Sequence, residues 1–327
     1  MKKEIYDIFI SKFGNKFKKY REDWDKAEKG EIIFNFPLHL NFELKIGCNL
    51  KCPACLCSLP FKKWPYDIDV KKEIKFNKFC EVIDEGVKHG LPSIELNGVN
   101  EPFLYKDIIN CIVYSSQKGI LHISLHTNAL LLTEELSLQL IRSGLTNISF
   151  SLDACHEETY NRIRVGSNYK KVIKNIDNFL RMKKEMNSIF PLTRVSMVRS
   201  KVNYNEIEEF KNYWKSKVDI VSTSFFYNPF VGDSRYKQIE KEYRIEKNEY
   251  ETCYEPYQRL FIFNNGNVAP CCSMFGGNLI VGNIYNDSIY NIWNNDKMKR
   301  IRQTIKNKET LPKPCKKCKI GWLGKDC

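Results

Sequence analysis

Apolar and polar positions repeat in a regular order from about residue 39 to residue 226. Short apolar stretches alternate with longer segments in which apolar residues recur every three or four positions. The short stretches predict β-strands and the longer segments predict amphipathic α-helices. The six strands are expected at Leu40–Ile46, Ser93–Asn97, His122–Thr127, Asn147–Leu152, Arg194–Val198 and Ile220–Phe226. The helices between them are expected near residues 72–89, 104–118, 133–143, 170–187 and 204–216.

Alternation of strand and helix is typical of parallel sheets whose strands are joined by helical crossovers. Six such units predict an α/β fold, a partial (β/α)6 TIM-like barrel. In folds of this class, ligands bind at the carboxyl ends of the strands. We therefore look for functional residues in the loops that follow the strands.

The N-terminal part of the chain, residues 1–38, is expected to be a helical extension. Its aromatic residues are spaced three or four apart, which predicts one face of a helix. These residues are Phe9, Phe13, Phe17, Tyr20 and Trp24. Because lysines cover the other faces, the helix could lie on a membrane surface. Packing against the rest of the chain is the expectation that we keep.

The pattern changes near residue 235, after which charged residues are frequent up to residue 251. Short strands are then expected at Leu260–Phe263, Val268–Pro270 and Leu279–Val281, and a helix at Ile289–Lys306. The predicted division is an N-terminal extension (1–38), a barrel (39–235) and a small C-terminal α+β domain (236–327).

Three cysteines, Cys48, Cys52 and Cys55, follow the first expected strand with C-x3-C-x2-C spacing. Three thiolates leave one position open on a tetrahedral metal or a four-iron cluster, and open positions are typical of catalytic centres. Zinc is the alternative at this point. Zinc sites, however, usually combine C-x2-C with a second pair or with histidines, and His39 is the one histidine nearby.

This loop resembles the cluster-binding loop of radical S-adenosylmethionine (SAM) enzymes. In that family, three cysteines hold a [4Fe–4S] cluster, and the amino and carboxylate groups of SAM chelate its unique iron. The resemblance implies reductive cleavage of SAM to a 5′-deoxyadenosyl radical, which abstracts a hydrogen atom from the substrate. Ala54 departs from the family pattern, because the residue before the third cysteine is commonly aromatic. Adenine must then be held partly by other residues.

Segments after the second, third and fourth strands also resemble the family. The stretch Leu96–Pro102 is similar to its G-x-G-E-P-like motif, which grips the SAM amino group, although Asn100 replaces a common glycine. The resemblance implies that the following T-N and S-L-D segments and a later arginine contact the ribose and carboxylate. The implied cofactor-binding residues are Gly98, Asn100, Glu101, Asn128, Ser151, Asp153 and Arg164. Strand capping, turn formation and surface salt bridging are the alternatives.

No catalytic side chain is assigned from the sequence. His126 could be a base on the substrate side, but we expect a structural histidine. Cys57, Cys80, Cys111 and Cys155 have no partner spacing. Of these, Cys80 and Cys111 fall within helical patterns and are expected in the core.

A second set of cysteines lies near the C-terminus: Cys253, Cys271, Cys315 and Cys318. Four thiolates suit a closed metal site or a fully ligated cluster, with structural zinc as the alternative. The stretch Phe261–Trp293 resembles the SPASM and twitch auxiliary-cluster domains. That resemblance implies one auxiliary [4Fe–4S] cluster on these four cysteines. Cys272 and Cys327 are left over.

The net charge is +13, from 52 basic and 39 acidic residues. Scattered lysines indicate a solvated basic surface, which suits an acidic flavodoxin- or ferredoxin-type electron donor. The charged N-terminus and the lack of a long apolar run predict a cytoplasmic protein without membrane contact. Thirteen cysteines in a reducing compartment are expected to be metal ligands and buried thiols.

By resemblance to twitch-type amino-cyclitol dehydrogenases, we expect dehydrogenation of a small sugar- or cyclitol-like substrate, with the auxiliary cluster accepting an electron. One alternative is modification of a ribosomally made peptide by cross-linking, thioether formation or epimerisation. The basic charge leaves a second alternative, an RNA-modifying or RNA-binding protein, although nucleic acid is not the expected partner. A non-enzymatic electron carrier is the remaining class, and the open coordination position argues against it.

Overall fold

The computed structural model describes residues 3–64, 69–226, 228, 234–245, 253–272, 278–307, 312 and 315. Within these ranges, nine strands form one sheet. They are β1 (His39–Phe42), β2 (Ser93–Glu95), β3 (His122–Thr127), β4 (Asn147–Ser151), β5 (Leu192–Arg199), β6 (Ile220–Phe225), β7 (Arg259–Ile262), β8 (Asn267–Ala269) and β9 (Gly282–Asn283).

The strand order is β6-β5-β4-β3-β2-β1-β7-β8-β9. Strands β1 to β6 lie in the order of the chain and pair in parallel with their neighbours. Sequential parallel strands with helical crossovers are the arrangement of a (β/α) barrel rather than of a doubly wound sheet. The predicted α/β fold class is therefore confirmed.

Twelve α-helices lie in the described ranges, five of them on the crossovers between β2 and β6. Their bounds are α1 (Lys3–Phe13), α2 (Asn15–Glu28), α3 (Phe76–Lys88), α4 (Ile108–Gln117), α5 (Glu134–Arg142), α6 (Glu157–Ile163), α7 (Tyr169–Glu185), α8 (Ile207–Trp214), α9 (Tyr236–Tyr243), α10 (Glu255–Gln258), α11 (Ile289–Asn294) and α12 (Asp296–Lys306).

Two predicted helices are each divided in the structure. The helix expected over the first thirty residues breaks at Gly14, whose φ of 59° interrupts the helical backbone. The helix expected over Ile289–Lys306 breaks at Asn295, whose side chain accepts a hydrogen bond from Met298 N and caps α12. Sequence periodicity missed both breaks because the apolar stripe continues across them.

The first strand is shorter than predicted, because β1 ends at Phe42 instead of Ile46. Beyond it, only single bridges join Lys45 to Glu73 and Gly47 to Asn100. The chain therefore leaves the ladder early, and separate backbone hydrogen bonds hold the segment before the cysteine loop, from Glu43 N to Ile262 O and from Ile74 N to Leu44 O, both at 2.9 Å.

The two faces of the parallel sheet differ in polarity. Ile123 and Leu125 of β3 are buried in the main hydrophobic core with the crossover helices. Ser124 and His126 alternate with them and so point to the opposite, inward face. Strand β4 follows the same rule, with Ile148 and Phe150 in the core. The inward face of the sheet is consequently polar at these positions.

The two N-terminal helices pack against the amino ends of the strands. The ring of Phe9 lies 5.5 Å from that of His122, and Trp24 lies 6.0 Å from His39. Phe9 and Phe17 are fully buried. The expected packing of the extension against the rest of the chain is thus confirmed.

The C-terminal segment continues the same sheet. Strand β7 pairs in parallel with β1, and β8 and β9 follow as an antiparallel extension. The strand predicted at Leu279–Val281 is wrong, because the residues that pair with β8 are Gly282 and Asn283. The division of the chain into three domains stays a prediction. None of the helices in the described ranges has the length and apolar character needed to cross a bilayer.

Candidate active site

A cavity of about 420 Å³ opens at the carboxyl ends of the parallel strands. Cys48, Cys52 and Cys55 line it. So do all seven residues predicted to contact SAM: Gly98, Asn100, Glu101, Asn128, Ser151, Asp153 and Arg164. The volume is in the range of small-molecule and cofactor sites. The tertiary structure therefore brings the two predicted sets together, although their ligand assignments stay predictions.

Neighbouring loops hold the cysteine loop in place. Asn128 Nδ2 donates to Asn49 Oδ1 at 2.8 Å and lies 3.7 Å from Cys48 Sγ. Lys51 N donates to Val165 O at 2.8 Å, and Leu50 N donates to Cys48 Sγ at 3.4 Å. The loop is thus tied to the ends of β3 and α6.

The thiols of this loop differ in acidity. A hydrogen bond from Cys57 lowers the pKa of Cys48 to about 7, because it stabilises the thiolate. The same kind of bond from Cys57 lowers the pKa of Cys55. Burial raises the pKa of Cys52 to about 11. Sequence analysis did not indicate a place for Cys57 in this cavity, because its spacing matches no other cysteine.

Glu101 is held by groups of its own chain. Its carboxylate accepts hydrogen bonds from Thr127 Oγ1 at 2.7 Å and from Asn128 N at 2.9 Å. Burial raises its pKa, and these bonds partly offset that effect. A buried carboxylate of this kind, which lines the cavity beside the loop, fits the predicted contact with an ammonium group.

Gly98 has a packing reason that sequence analysis did not find. A Cβ at this position would lie 2.6 Å from Oε1 of Glu43 and 2.8 Å from its Cβ. Glu43 is fully buried, and its Oε1 accepts a hydrogen bond from Val99 N at 2.7 Å. Asn100 Oδ1 accepts a further bond from Gly98 N at 2.8 Å. The glycine therefore makes room for Glu43, and Asn100 braces the same turn.

Asp153 and Arg164 form a buried ion pair, with 2.6 Å between Asp153 Oδ2 and Arg164 Nη2. Asp153 Oδ1 also accepts a hydrogen bond from Val198 N at 2.7 Å. Burial opposes the charge of Arg164, but Asp153 and the nearby Cys52 hold its pKa above the ordinary value. Asp153 thus orients Arg164. The guanidinium of Arg164 is the group of this pair that can contact a ligand.

The donor set fits an anionic iron–sulfur cluster with SAM. Three thiols converge on one cavity beside a permanent cation, and thiolates are the usual ligands of such clusters. Within the described part of the chain, the buried Nε of Arg164 has no hydrogen-bond partner. An unsatisfied guanidinium nitrogen at this position fits a carboxylate ligand.

His126 on the cavity wall forms a pair of titratable groups with Glu95. His126 lines the wall, and its Nε2 lies 3.8 Å from Oε1 of Glu95. Burial lowers the pKa of His126, although the charge of Glu95 opposes that effect. The side chain is 39% exposed. His126 therefore lines the cavity beside Glu95, and its role stays a prediction.

The C-terminal cysteines are described in part. Cys253, Cys271 and Cys315 lie in the described ranges, whereas Cys318, Cys327 and the Gly276-Gly277 turn lie outside them. Cys272 is exposed, and its Sγ lies 3.6 Å from Oε2 of the buried Glu255. Among the described side chains, no three His, Cys, Asp or Glu residues converge closely enough to hold a single metal ion.

Comparison with known families agrees with this geometry. Residues 43–214, more than half of the chain, match the sequence model of the radical SAM superfamily. The chain belongs to the radical SAM superfamily. Residues 253–319 match the SPASM domain, described as an iron–sulfur cluster-binding domain. The protein is therefore a radical SAM enzyme with a C-terminal SPASM domain, as the cysteine spacing and the family resemblance predicted.

Among curated proteins, a GTP 3′,8-cyclase of Clostridium botulinum (strain Hall) is 29% identical over 183 residues. The match covers 54% of this chain and 52% of the cyclase. The chain thus spans about half of the length of the curated cyclases that it matches.

Two solved structures share the fold. Streptococcus suis SuiB bound to the precursor peptide SuiA has a TM-score of 0.64 and 20% identity, covering 88% of this chain and 71% of SuiB. BtrN in complex with AdoMet and 2-DOIA has a TM-score of 0.54 and 17% identity, covering 84% of this chain and 88% of BtrN. At these identities the similarity establishes the fold alone.

The two domains imply a SAM-binding [4Fe–4S] cluster, an auxiliary cluster and SAM as cofactors. When bound, these groups supply the one-electron chemistry that removes a hydrogen atom from a substrate carbon. The residues of this chain that would hold them are the three thiols of the loop and, beside them, the guanidinium of Arg164.

Proposed function

We propose that this radical SAM enzyme oxidises a small hydroxylated substrate of the sugar or cyclitol type, converting an alcohol to a carbonyl. The observation that carries the proposal is the polarity of the inward wall. Asn97, His126, Ser151, Ser200 and Ser224 all line the cavity. Hydroxyl and amide groups of this kind can hydrogen-bond several hydroxyls of one small molecule.

The polar wall continues below the cavity. Arg194 Nε donates to Ser222 Oγ at 2.7 Å, and Glu95 lies between His39 and His126. The buried Ser149 Oγ has no partner among the described residues. Interiors of (β/α) barrels are normally filled by branched apolar side chains. A polar interior is costly without polar ligands or water, so its presence supports a polar substrate.

His126 is the candidate proton acceptor. Oxidation of an alcohol to a carbonyl removes a hydrogen atom from carbon, a proton from oxygen and one further electron. We assign the proton to Nδ1 of His126, and the auxiliary iron–sulfur cluster, when bound, would supply an acceptor for the electron. Glu95, ionised and 3.8 Å from Nε2, stabilises the imidazolium that forms. Burial favours the neutral acid, but hydrogen bonding to His39 and the charge of His126 hold the pKa of Glu95 below its ordinary value.

Substitution of His126 by glutamine tests this assignment. We expect SAM cleavage without substrate to continue, while formation of oxidised product falls by about 10²- to 10⁴-fold. In the wild type, kcat/KM should fall as His126 becomes protonated, at a pH below the ordinary imidazole pKa because burial lowers the pKa of this side chain. The glutamine variant should lack that acid limb. An identical pH profile in both proteins would contradict the role of His126.

The proposed function itself is tested with anaerobically reconstituted protein. Two four-iron clusters give about eight irons per chain, whereas about four irons with one zinc would contradict the auxiliary cluster. With a reductant and SAM, release of 5′-deoxyadenosine should increase when a panel of polyols and aminocyclitols is added. The product should have lost two hydrogens, as measured by mass spectrometry. Stimulation by peptides alone would contradict the proposal.

Peptide modification is the second candidate. It is supported by the fold shared with SuiB, whose structure contains a precursor peptide. The polar residues on the inward wall favour the small substrate, because an extended peptide needs a groove for its main chain in addition to a pocket. Incorporation of solvent deuterium at an α-carbon, or a new cross-link in a peptide encoded beside this gene, would favour the second candidate.

A further inference from the structure

Arg194 places a permanent positive charge on the inward face of the sheet, below the cavity. Val195 and Met197 of the same strand are buried in the main hydrophobic core, so Arg194 points to the opposite face. Its Nε donates to Ser222 Oγ at 2.7 Å. Ser222 lies two residues before Ser224, which lines the cavity. The two serines are therefore one inward position apart, about 7 Å along β6.

The guanidinium of Arg194 has no counter-charge among the residues that the structure describes. None of their carboxylates forms an ion pair with it, and its two Nη atoms make no hydrogen bond with them. Glu95, on the same inward face, lies instead 3.8 Å from His126 and 3.7 Å from His39. Arg194 is partly buried. A cation inside a barrel without a partner is unfavourable, and an anion beside it would offset that cost.

The hydrogen bond to Ser222 leaves the two Nη atoms of Arg194 for a ligand. Such a pair of donors matches the two oxygens of a carboxylate or of a phosphate group. The sheet relates Arg194 to the cavity, because His126 pairs with Ser149, and Ser149 pairs with Arg194 on the next strand. Two strand spacings, about 10 Å, separate the backbones of His126 and Arg194. A substrate of one sugar ring with a charged substituent is long enough to span that distance.

We infer that Arg194 binds a carboxylate or phosphate group of the hydroxylated substrate. The inference rests on the proposed function and narrows the substrate to an acidic or phosphorylated sugar or cyclitol. The substrate would place one hydroxyl at His126 and its anionic group at Arg194. A neutral polyol has no group to pair with the guanidinium, and the ammonium group of an aminocyclitol would be repelled by it.

Isothermal titration calorimetry of the anaerobic, reconstituted holoenzyme with SAM tests the inference. The four ligands share one hexose ring: glucose is neutral, glucosamine carries an ammonium, glucuronate a carboxylate and glucose 6-phosphate a phosphate. At least one of the two anionic sugars should bind at least about tenfold more tightly than glucose. Glucosamine should bind no more tightly than glucose. The anionic sugar that binds more tightly distinguishes a carboxylate from a phosphate ligand.

Three variants assign that preference to Arg194. Arg194→Gln removes the charge, and the affinity of the anionic sugar relative to glucose should fall to about twofold or less. Arg194→Lys keeps the charge without the paired donors and should retain part of the preference. Arg181→Gln changes an exposed arginine of α7 and should bind the sugars as the wild type does. If Arg194→Gln is insoluble, Arg194→Met, which also lacks the charge, replaces it.

Two results would overturn the inference. One is that glucose or glucosamine binds as tightly as both anionic sugars. The other is that the anionic preference survives unchanged in Arg194→Gln. Tight binding of an anionic sugar that is never oxidised counts against the proposed function, but it supports the anion site.

If none of the four sugars binds, the hexose scaffold of the proposed substrate is wrong, and inorganic phosphate becomes the probe. Binding of phosphate to the wild type and its loss in Arg194→Gln would support the anion site. Equal binding by both proteins, or no binding by either, would overturn it.

Discussion

Glu43 is a fully buried carboxylic acid beside the cavity. Its Oε1 accepts a bond from Val99 N, while Oε2 has no partner within the described residues. Burial raises its pKa to about 7, and the bond from Val99 partly offsets that effect. The folded chain thus retains a proton at a pH at which the unfolded chain, with an ordinary pKa of 4.5, has released it.

This shift predicts a pH dependence of stability. Between about pH 4.5 and 7 the folded state binds more protons than the unfolded state, so stability falls as the pH rises and is constant above that window. The full effect is ~3 kcal/mol at most. Glu43→Gln stays neutral at every pH and keeps an acceptor for Val99.

The apparent melting temperature of Glu43→Gln relative to wild type should therefore rise between pH 5 and pH 8. Differential scanning calorimetry of the anaerobic holoenzyme measures that difference. Exposed Glu158→Gln is the matched control and should show no such trend. A difference for Glu43→Gln that is constant with pH would contradict the effect of burial on this group.

At the scale of single elements, the loop after β2 depends on a glycine. In Gly98→Ala, the new methyl group would meet Oε1, Cβ and Cδ of Glu43 at 2.6 to 2.9 Å, and backbone or side chain must move. We expect a loss of about 1–3 kcal/mol in unfolding free energy. In a Glu43→Ala background two of those three contacts are absent, so the loss should be smaller. Urea denaturation of the wild type, the two single variants and the double variant measures the coupling free energy between the two positions. If the losses in unfolding free energy are strictly additive, the packing explanation is wrong.

The end of α6 depends on the Asp153–Arg164 pair. Asp153 has a φ of 67°, a conformation that asparagine also tolerates, so Asp153→Asn removes charge with little change in backbone preference. Because Arg164 is then left buried and unpaired, we expect a loss of about 3–5 kcal/mol. Glu157→Gln breaks the exposed pair with Lys170 and should cost about 0–1 kcal/mol. Equal losses in both variants would contradict a structural role for the buried pair.

At the scale of the whole molecule, the net charge of +13 predicts how an electron-donor protein would dock. A basic surface attracts an acidic flavodoxin or ferredoxin, and such steering weakens as salt screens it. We expect the rate of cluster reduction by a reduced acidic flavodoxin to fall by at least about tenfold between 0.05 and 0.5 M salt. Stopped-flow absorbance measures the rate, with dithionite as the control reductant. A rate independent of salt would contradict docking by charge.

The continuous sheet explains how a chain of many short elements forms one site. The extension α1–α2 packs at the amino ends of the strands, and the cavity lies at the carboxyl ends. The sheet continues through β7 to β9, so the C-terminal segment is anchored to the strand that precedes the cysteine loop. The cysteine loop after β1 and Cys271 after β8 are thereby attached to one sheet.

The sequence by itself determined the fold class and the family. Strand and helix differ in apolar period, and consecutive parallel units leave few topologies open. The spacing C-x3-C-x2-C is local, so Cys48, Cys52 and Cys55 are visible without a structure. The loops after β2, β3 and β4 were predicted to converge because parallel strands end at one edge, and their residues do line one cavity.

Only the tertiary structure decided which partners those residues have. Glu43 and Gly98 meet across two strands, 55 positions apart in the chain, and no local pattern reveals such a contact. The spacing of Cys57 in the sequence matches no motif, because its contact with Val99 O depends on how the loop folds. Asp153 was predicted as a cofactor contact, and the structure places it against Arg164 instead of leaving it unpaired. Periodicity reports the face that a residue occupies, whereas its hydrogen-bond partners depend on how distant segments pack.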